Sequence, residues 1–336
     1  MRSYNFRFEI LNNKYEYVKN VYPISCQVDY DCLSGMKLSV NMTIKDDDYN
    51  YNDKYLVIKN ENEIFATVII ATSIRDKLNK TVKLTGYDFC ILLEQRKVKN
   101  DFIVPAFTNI IGFIGTALTG YSHAFSSIDS NATNKAEIYF DAGTSYLEII
   151  NKLLSLINFS SLLTDRFGVF YTEKYELPSD RVPEIYYADD KETSIIYKNV
   201  MQEIDLFNVP NVFVRVSNNS AINPPLRAQY VNDNPDSILS TIRRDREIVD
   251  YKKVDNVVDS DTLFAITKKD CYNASDIYEH IEIETAININ HWYLNLVSLN
   301  LKTYGIDDNY VETSWNIDNL KAGGRMKHKL RRVIRV

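Results

Sequence analysis

The chain opens on an alternation: Tyr4, Phe6, Phe8 and Ile10 are apolar, and Asn5, Arg7 and Glu9 between them are polar. A period of two is that of a strand with one buried face. The same period returns at Cys26-Val28-Tyr30 and at Leu38-Val40-Met42-Ile44, and Tyr55–Ile58, Ile64–Ala71 and Thr81–Thr85 add three more short runs. Asn12-Asn13 is placed for a tight turn after the first strand, because asparagine tolerates left-handed backbone. Short strands separated by polar turns predict an all-β barrel or sandwich.

Around Leu92–Pro105 the period changes. Thr108 is predicted to cap a helix with Ile110, Phe113, Ile114, Ala117 and Leu118 on one face. A Ser/Asn-rich loop (Ser126–Asn134) and a short strand (Ala136–Phe140) follow. A second helix then opens at Gly143. Ser145 and Glu148 have capping-box spacing, and Leu147, Ile150, Leu154 and Ile157 form its buried stripe. Ser160–Thr164 and Gly168–Lys174 read as a hairpin turning at Asp165-Arg166-Phe167-Gly168. An α+β block between β-rich flanks reads as an inserted domain.

Past Pro183 the strand pattern resumes. In Asp205–Arg246, Val212, Val214 and Val216 share one face and Phe213 and Arg215 the other, and an extended piece stops at Asn234-Pro235. This stretch is predicted to begin a second barrel, with a further strand over Ile242–Val249. Ser260 or Asp261 is predicted to cap a helix carrying Leu263, Ile266, Thr267, Cys271 and Ala274, and strands follow at Tyr278–Ile287, Tyr293–Tyr304, Tyr310–Ile317 and Met326–Ile334. Gly323-Gly324 is the turn before the last strand, which places Lys327, Lys329, Arg331 and Arg335 on one face and Leu330, Ile334 and Val336 on the other. That basic face is either solvated, discouraging edge pairing, or a strip that meets an acidic neighbour. The expected fold is mainly β with an inserted α+β domain: residues 1–96 a first barrel-like domain, 97–184 the insert, 185–336 a second barrel-like domain.

Composition narrows the function. A chain of 336 residues can bury a sizeable core, and 45% hydrophobic with 25% charged residues is ordinary for a globular protein. The 24 tyrosines suit half-buried sheet faces and subunit contacts. A net charge of −6 disfavours a protein built to grip nucleic acid. Cys26, Cys32, Cys90 and Cys271 form no Cys-x-x-Cys pair and read as small buried hydrophobes. No signal peptide or membrane span is expected, so the chain reads as soluble and made in the cytoplasm.

Chemistry-bearing patterns are sparse. His123, His280, His291 and His328 are scattered and fall in no ligand spacing, so no metal site is expected. No nucleophile elbow or phosphate-binding loop is present, and Ile111-Gly112-Phe113-Ile114-Gly115 is too short for a dinucleotide fingerprint. Asp46, Asp48, Asn50 and Asn52 alternate as in a calcium loop, but Tyr51 replaces the turn glycine and Val57 the bidentate glutamate. Asp88 and Asp141 are the best-placed carboxylates for sugar hydrolysis, each better explained by a turn or cap. Trp292 and Trp315 sit in strand patterns where core burial accounts for them. No catalytic residue, cofactor or metal is expected, and the balance favours a protein that works by assembling.

Several stretches together resemble the baseplate hub proteins of phage tails and related contractile particles, the group that includes the XkdQ-like prophage tail proteins. They are Asp53–Phe65 with Val68-Ile69-Ile70 and Leu84-Thr85-Gly86-Tyr87-Asp88; Asp141–Leu154 with Asp165–Gly168; Val209–Val216 with Asn234–Ser237; and Tyr310 through Leu320–Met326 to Arg332. Ala66-Thr67 departs from the glycine usual in that family. The resemblance implies a homotrimer in which two barrel-like domains per chain form a pseudo-sixfold ring. That ring joins the tail tube above to a spike or cell-wall-degrading protein below, lines the channel and meets surrounding baseplate proteins, without specific nucleic-acid binding or membrane insertion. It also implies assembly in the bacterial cytoplasm into a phage tail or a phage-tail-like, bacteriocin-type particle. Two alternatives stand beside it: a tail-associated cell-wall hydrolase, for which little room remains after the last predicted strand, and a β-rich receptor- or carbohydrate-binding module.

Overall fold

The computed structural model describes residues 4–119, 125–127, 130–190, 194–204, 206, 209–218, 222–254, 257, 259–275, 279–320 and 324–333. Seven strands come first: β1 (Phe6–Leu11), β2 (Tyr17–Val21), β3 (Pro23–Asp31), β4 (Leu38–Lys45), β5 (Tyr55–Asn60), β6 (Glu63–Asp76) and β7 (Thr81–Tyr87). In β4 the alternation is realised as read, with Leu38, Val40, Met42 and Ile44 buried. The β1–β2 turn differs in one respect. Tyr15, not an asparagine, takes the left-handed conformation (φ 63°). Asn12 instead works through its side-chain oxygen, which accepts from the Lys14 and Glu16 amides at 2.8 and 3.1 Å.

The middle block comprises α1 (Cys90–Gln95), β8 (Phe102–Val104), α2 (Ile110–Leu118), β9 (Phe125–Ser127), β10 (Ile138–Phe140), α3 (Tyr146–Leu156), β11 (Leu163–Thr164) and β12 (Phe170–Thr172). Asn109, not Thr108, caps α2 by accepting from the Gly112 amide at 2.6 Å. Ser145 caps α3 by accepting from the Glu148 amide at 3.1 Å, as its spacing predicts. Both helices bury their apolar stripes in one core, and Ile69 of β6 enters that same core. Ala66, Val68 and Ile70 of β6 belong to the core of the first strands. Two cores on either side explain why Phe65–Ile70 is buried without a break.

The last block holds β13 (Ile185–Ala188), β14 (Ile196–Ile204), β15 (Val212–Ser217), β16 (Arg227–Val231), α4 (Thr241–Arg244), β17 (Val249–Val254), α5 (Ser260–Ser275), β18 (Glu279–Ala286), β19 (Leu296–Leu301), β20 (Ile306–Ile317) and β21 (Arg325–Arg332). The two β-rich blocks share one 13-stranded sheet, in the order β14-β18-β21-β20-β3-β4-β7-β6-β5-β1-β2, with β19 on β20 and β13 on β19. Strand β20 is the joint. Its first half pairs with β19, and Ser314–Ile317 pairs with Asp31–Val28 of β3. Across that joint the Trp315 and Tyr30 rings stack at 5.2 Å.

The stretch expected to begin the second barrel does not enter this sheet. Strand β15 is instead the centre of a separate three-stranded sheet, antiparallel to β16 and parallel to β17, with α5 packed on it. The reason lies in Arg215, which is fully buried on β15. Its guanidinium needs carboxylates, and Asp250 of β17 (2.7 Å) and Asp270 of α5 (2.6 Å) supply them. Residues 241–244 form α4 instead of a strand because Ser240 caps them, accepting from the Arg243 amide at 3.1 Å. Asp259 takes the cap expected of Ser260 or Asp261, accepting from the Thr262 amide at 2.8 Å.

The final strand is not an edge. It lies between β18 and β20, and its basic face meets acids of the same chain. Lys329 stands opposite Glu282 with 3.4 Å between the charged atoms, and Lys327 stands opposite Glu284. His123, Asp205, Gly323, Ile334, Arg335 and Val336 lie outside the described residues.

Candidate functional site: sheet edges and a buried polar cluster

Among the described residues, β2 pairs only with β1 and β14 only with β18, so these strands end the long sheet path, and β13 pairs only with β19. An unpaired strand offers a row of free N–H and C=O groups to another chain. Around β2 the side chains are apolar and open: Tyr17 is 59% exposed, Tyr22 83% and Ile24 51%. On β14, Met201 and Ile204 are exposed, and Tyr186 is exposed on β13. Lys19 is the one charge within β2, and it is ion-paired to Asp47.

A second feature lies in the interior, where the structure brings together residues far apart in sequence. Glu312 on β20 is fully buried between His291 and His328, both also buried. Its Oε2 is 2.5 Å from His291 Nδ1 and its Oε1 is 2.6 Å from His328 Nδ1. His291 Nε2 faces the Tyr187 hydroxyl at 2.7 Å, and His328 Nε2 faces the Thr285 hydroxyl at 2.9 Å.

The protons can be counted through this chain. The Asn288 amide donates to the Tyr187 hydroxyl, whose own proton is then free for His291 Nε2, and we assign it there. His291 Nδ1–H then donates to Glu312. At the other end the Thr285 hydroxyl donates to the Ala286 carbonyl at 2.8 Å, so it accepts from His328 Nε2–H. His328 Nδ1 and Glu312 Oε1 are left sharing one proton. Every group is satisfied and the cluster is neutral as a whole, which is what a dry site demands. Burial raises the Glu312 carboxyl above its usual range, lowers the His328 imidazole and pushes His291 down to about 3.

Two histidines and a glutamate with donor atoms within 4.8 Å of one another are residue types that hold a divalent metal. Ligands on one metal sit about 3 Å apart or more, given bonds of about 2.0–2.2 Å. The 2.5 and 2.6 Å contacts are closed by protons instead. The sequence carried one signal of this cluster: His328 shares the inward face of β21 with Met326 and Leu330, where a polar residue needs a partner.

The carboxylates singled out from sequence have local structural work. Asp88 is buried and accepts from the Lys37, Leu38 and Cys90 amides at 2.6, 3.0 and 3.0 Å, which ties β4 to α1. Burial raises its carboxyl. Asp141 is exposed, and its backbone carbonyl accepts from Thr144. In the calcium-like run, Arg75 pairs with Asp46 and Asp48, and Lys19 with the neighbouring Asp47, so the chain's own cations meet that charge. Trp315 is buried; Trp292 is half-buried, with the Arg166 guanidinium 5.2 Å from its ring centre. All four cysteines are free and buried, and burial pushes the Cys26 and Cys32 thiols up to about 12.

The joined sheets, the helical insert and the side sheet match known structures along nearly their whole length. A tail protein from Neisseria meningitidis superposes with a TM-score of 0.71 at 12% identity, covering 98% of this chain and 97% of that one. The 43 kDa tail protein of prophage MuSo2 from Shewanella oneidensis gives 0.67 at 11% identity, with 97% and 98% covered. Prophage tail protein gp18 from Listeria monocytogenes gives 0.62 at 10%, with 97% and 94% covered. The fold is the one these tail proteins share. No protein-family model and no curated protein matches the sequence.

Proposed function

We propose that the protein is a structural, non-enzymatic tail hub: a homotrimer that joins a sixfold tail tube to a threefold central spike and lines the channel between them. The observation that carries this reading is that the apolar-flanked strands β2 and β14, at opposite ends of one sheet path, each have one edge without a partner among the described residues. A head-to-tail ring buries one edge of each copy against a different edge of the next, and such a ring closes only for a fixed number of subunits. Two linked β-rich units per chain make six such units in a trimer, the number a sixfold tube presents. The tail-protein fold supports the same reading, since it extends over nearly the whole length of two solved tail proteins. Its partners are then the tube protein, a spike or cell-wall-degrading protein, and surrounding baseplate proteins.

Size-exclusion chromatography with light scattering, together with electron microscopy of the particle, tests this. A trimer on the particle's central axis is the expected result; a stable monomer absent from that axis overturns it.

A further inference from the structure

We propose that the hollow between the helical insert, α5 and the β20–β21 pair is a binding site for a small oxyanion, either a phosphate or a carboxylate. The cavity encloses about 320 Å³, at the small end of the range of ligand sites, about 300–1,000 Å³. Arg181, Lys269 and Arg331 line it, and none of its described lining residues is an aspartate or glutamate. Cations gathered around one hollow repel one another except where a carboxylate neutralises one of them, and an anion seated among them relieves what is left.

The partners of those cations sharpen the case. Arg181 is ion-paired at 2.6 Å with Glu184, which is not part of the lining. Among the described residues Lys269 makes no hydrogen bond or ion pair; its ammonium lies 4.2 Å from the centre of the Tyr175 ring. Burial lowers that ammonium below its usual range in spite of nearby Asp270, the direction expected of a charge short of counterions. The Nε of Arg331 is buried and has no hydrogen-bond partner. Other basic residues of the same strand are matched: Lys329 by Glu282, and Arg332 by Glu279 at 2.9 Å. Two cationic donors with no acceptor among the described residues, both lining one cavity, are a departure that calls for an acceptor from outside the chain. The hollow joins three parts of the fold, so an anion seated there also ties them together.

Isothermal titration of the full chain at fixed ionic strength, with inorganic phosphate in one arm and glutarate in the other, tests the proposal. One-to-one saturable binding is expected. Tighter phosphate assigns the site to the free ion, and tighter glutarate assigns it to a carboxylate side chain of a partner. Lys269→Met and Arg331→Gln should each weaken binding about tenfold or more, because a charge-assisted donor is lost. Lys329→Gln, outside the cavity, should leave binding unchanged. Thermal melts separate loss of the site from loss of the fold: the anion should raise the melting temperature of the parent protein and not that of a cooperatively melting Lys269→Met. Heats that never saturate with either anion, or undiminished binding by folded Lys269→Met, overturn the proposal.

Discussion

Glu312 and His328 share a single proton across 2.6 Å, on adjacent strands and out of reach of water. Neither residue is in a motif, and 16 positions separate them in the chain. Their pairing fixes how β20 and β21 lie at the joint of the long sheet. It also defines what each neighbour must donate or accept, and that makes the cluster testable by substitutions that differ in hydrogen-bonding pattern more than in size.

Glu312→Gln should be mild and Glu312→Ala severe. A glutamine offers the oxygen that His291 Nδ1–H needs and an N–H for His328 Nδ1, the pattern of the neutral acid, so a cost of about 1 kcal/mol is expected. Alanine leaves two buried imidazole nitrogens without partners, at about 3–5 kcal/mol. Urea denaturation measures both. Equal losses would mean that the carboxylate is ionised in the folded protein.

Stability should fall as acid is added below neutrality. His291 is held down at about 3 in the folded protein, against about 6.5 when unfolded. Above the unfolded value both states carry neutral imidazole and the group contributes no slope. Between the two values the unfolded chain binds a proton that the folded chain refuses, so stability drops with falling pH by up to about 1.4 kcal/mol per unit. Melts from neutral to mildly acidic pH read the slope, and His291→Gln should flatten it.

Gly168→Ala should destabilise the insert by about 2–4 kcal/mol, because it combines a left-handed backbone with overpacking. Gly168 has φ +86°, and a Cβ built there would stand 2.3 Å from Cε2 of Phe89, whose ring is buried. Thermal melts would show the loss. A Gly143→Ala control has the same kind of backbone (φ +91°) but nothing within 4 Å, so it isolates the conformational part, about 1 kcal/mol.

Val18→Lys combined with Tyr22→Lys should turn the proposed trimer into monomers while changing the stability of each protomer by less than about 0.5 kcal/mol, as exposed substitutions do. Light scattering reads the mass and denaturation the stability. An unchanged trimer would move the interface away from β2.

Alternation was enough to place most strands, because a half-buried strand must put apolar side chains on every second position wherever its partner lies. Leu38–Ile44 and the Lys327–Lys329–Arg331 face were legible for that reason, as was the Ser145 cap, whose hydrogen bond spans three residues. The resemblance to tail hubs was also carried by sequence, and the whole-length match in fold bears it out at the level of the fold.

Pairing was not legible, since a period of two says which way a side chain points and nothing about which strand lies beside it. Only the tertiary structure makes β20 the joint of one continuous sheet, moves β15 into a sheet of its own around Arg215, and decides between the two readings of the basic final strand, as an interior strand whose lysines face Glu282 and Glu284. The His291–Glu312–His328 cluster and the Lys269–Arg331 hollow belong to the same class. Their parts come from separate elements, and a buried proton or an unmatched charge exists only once those elements have packed.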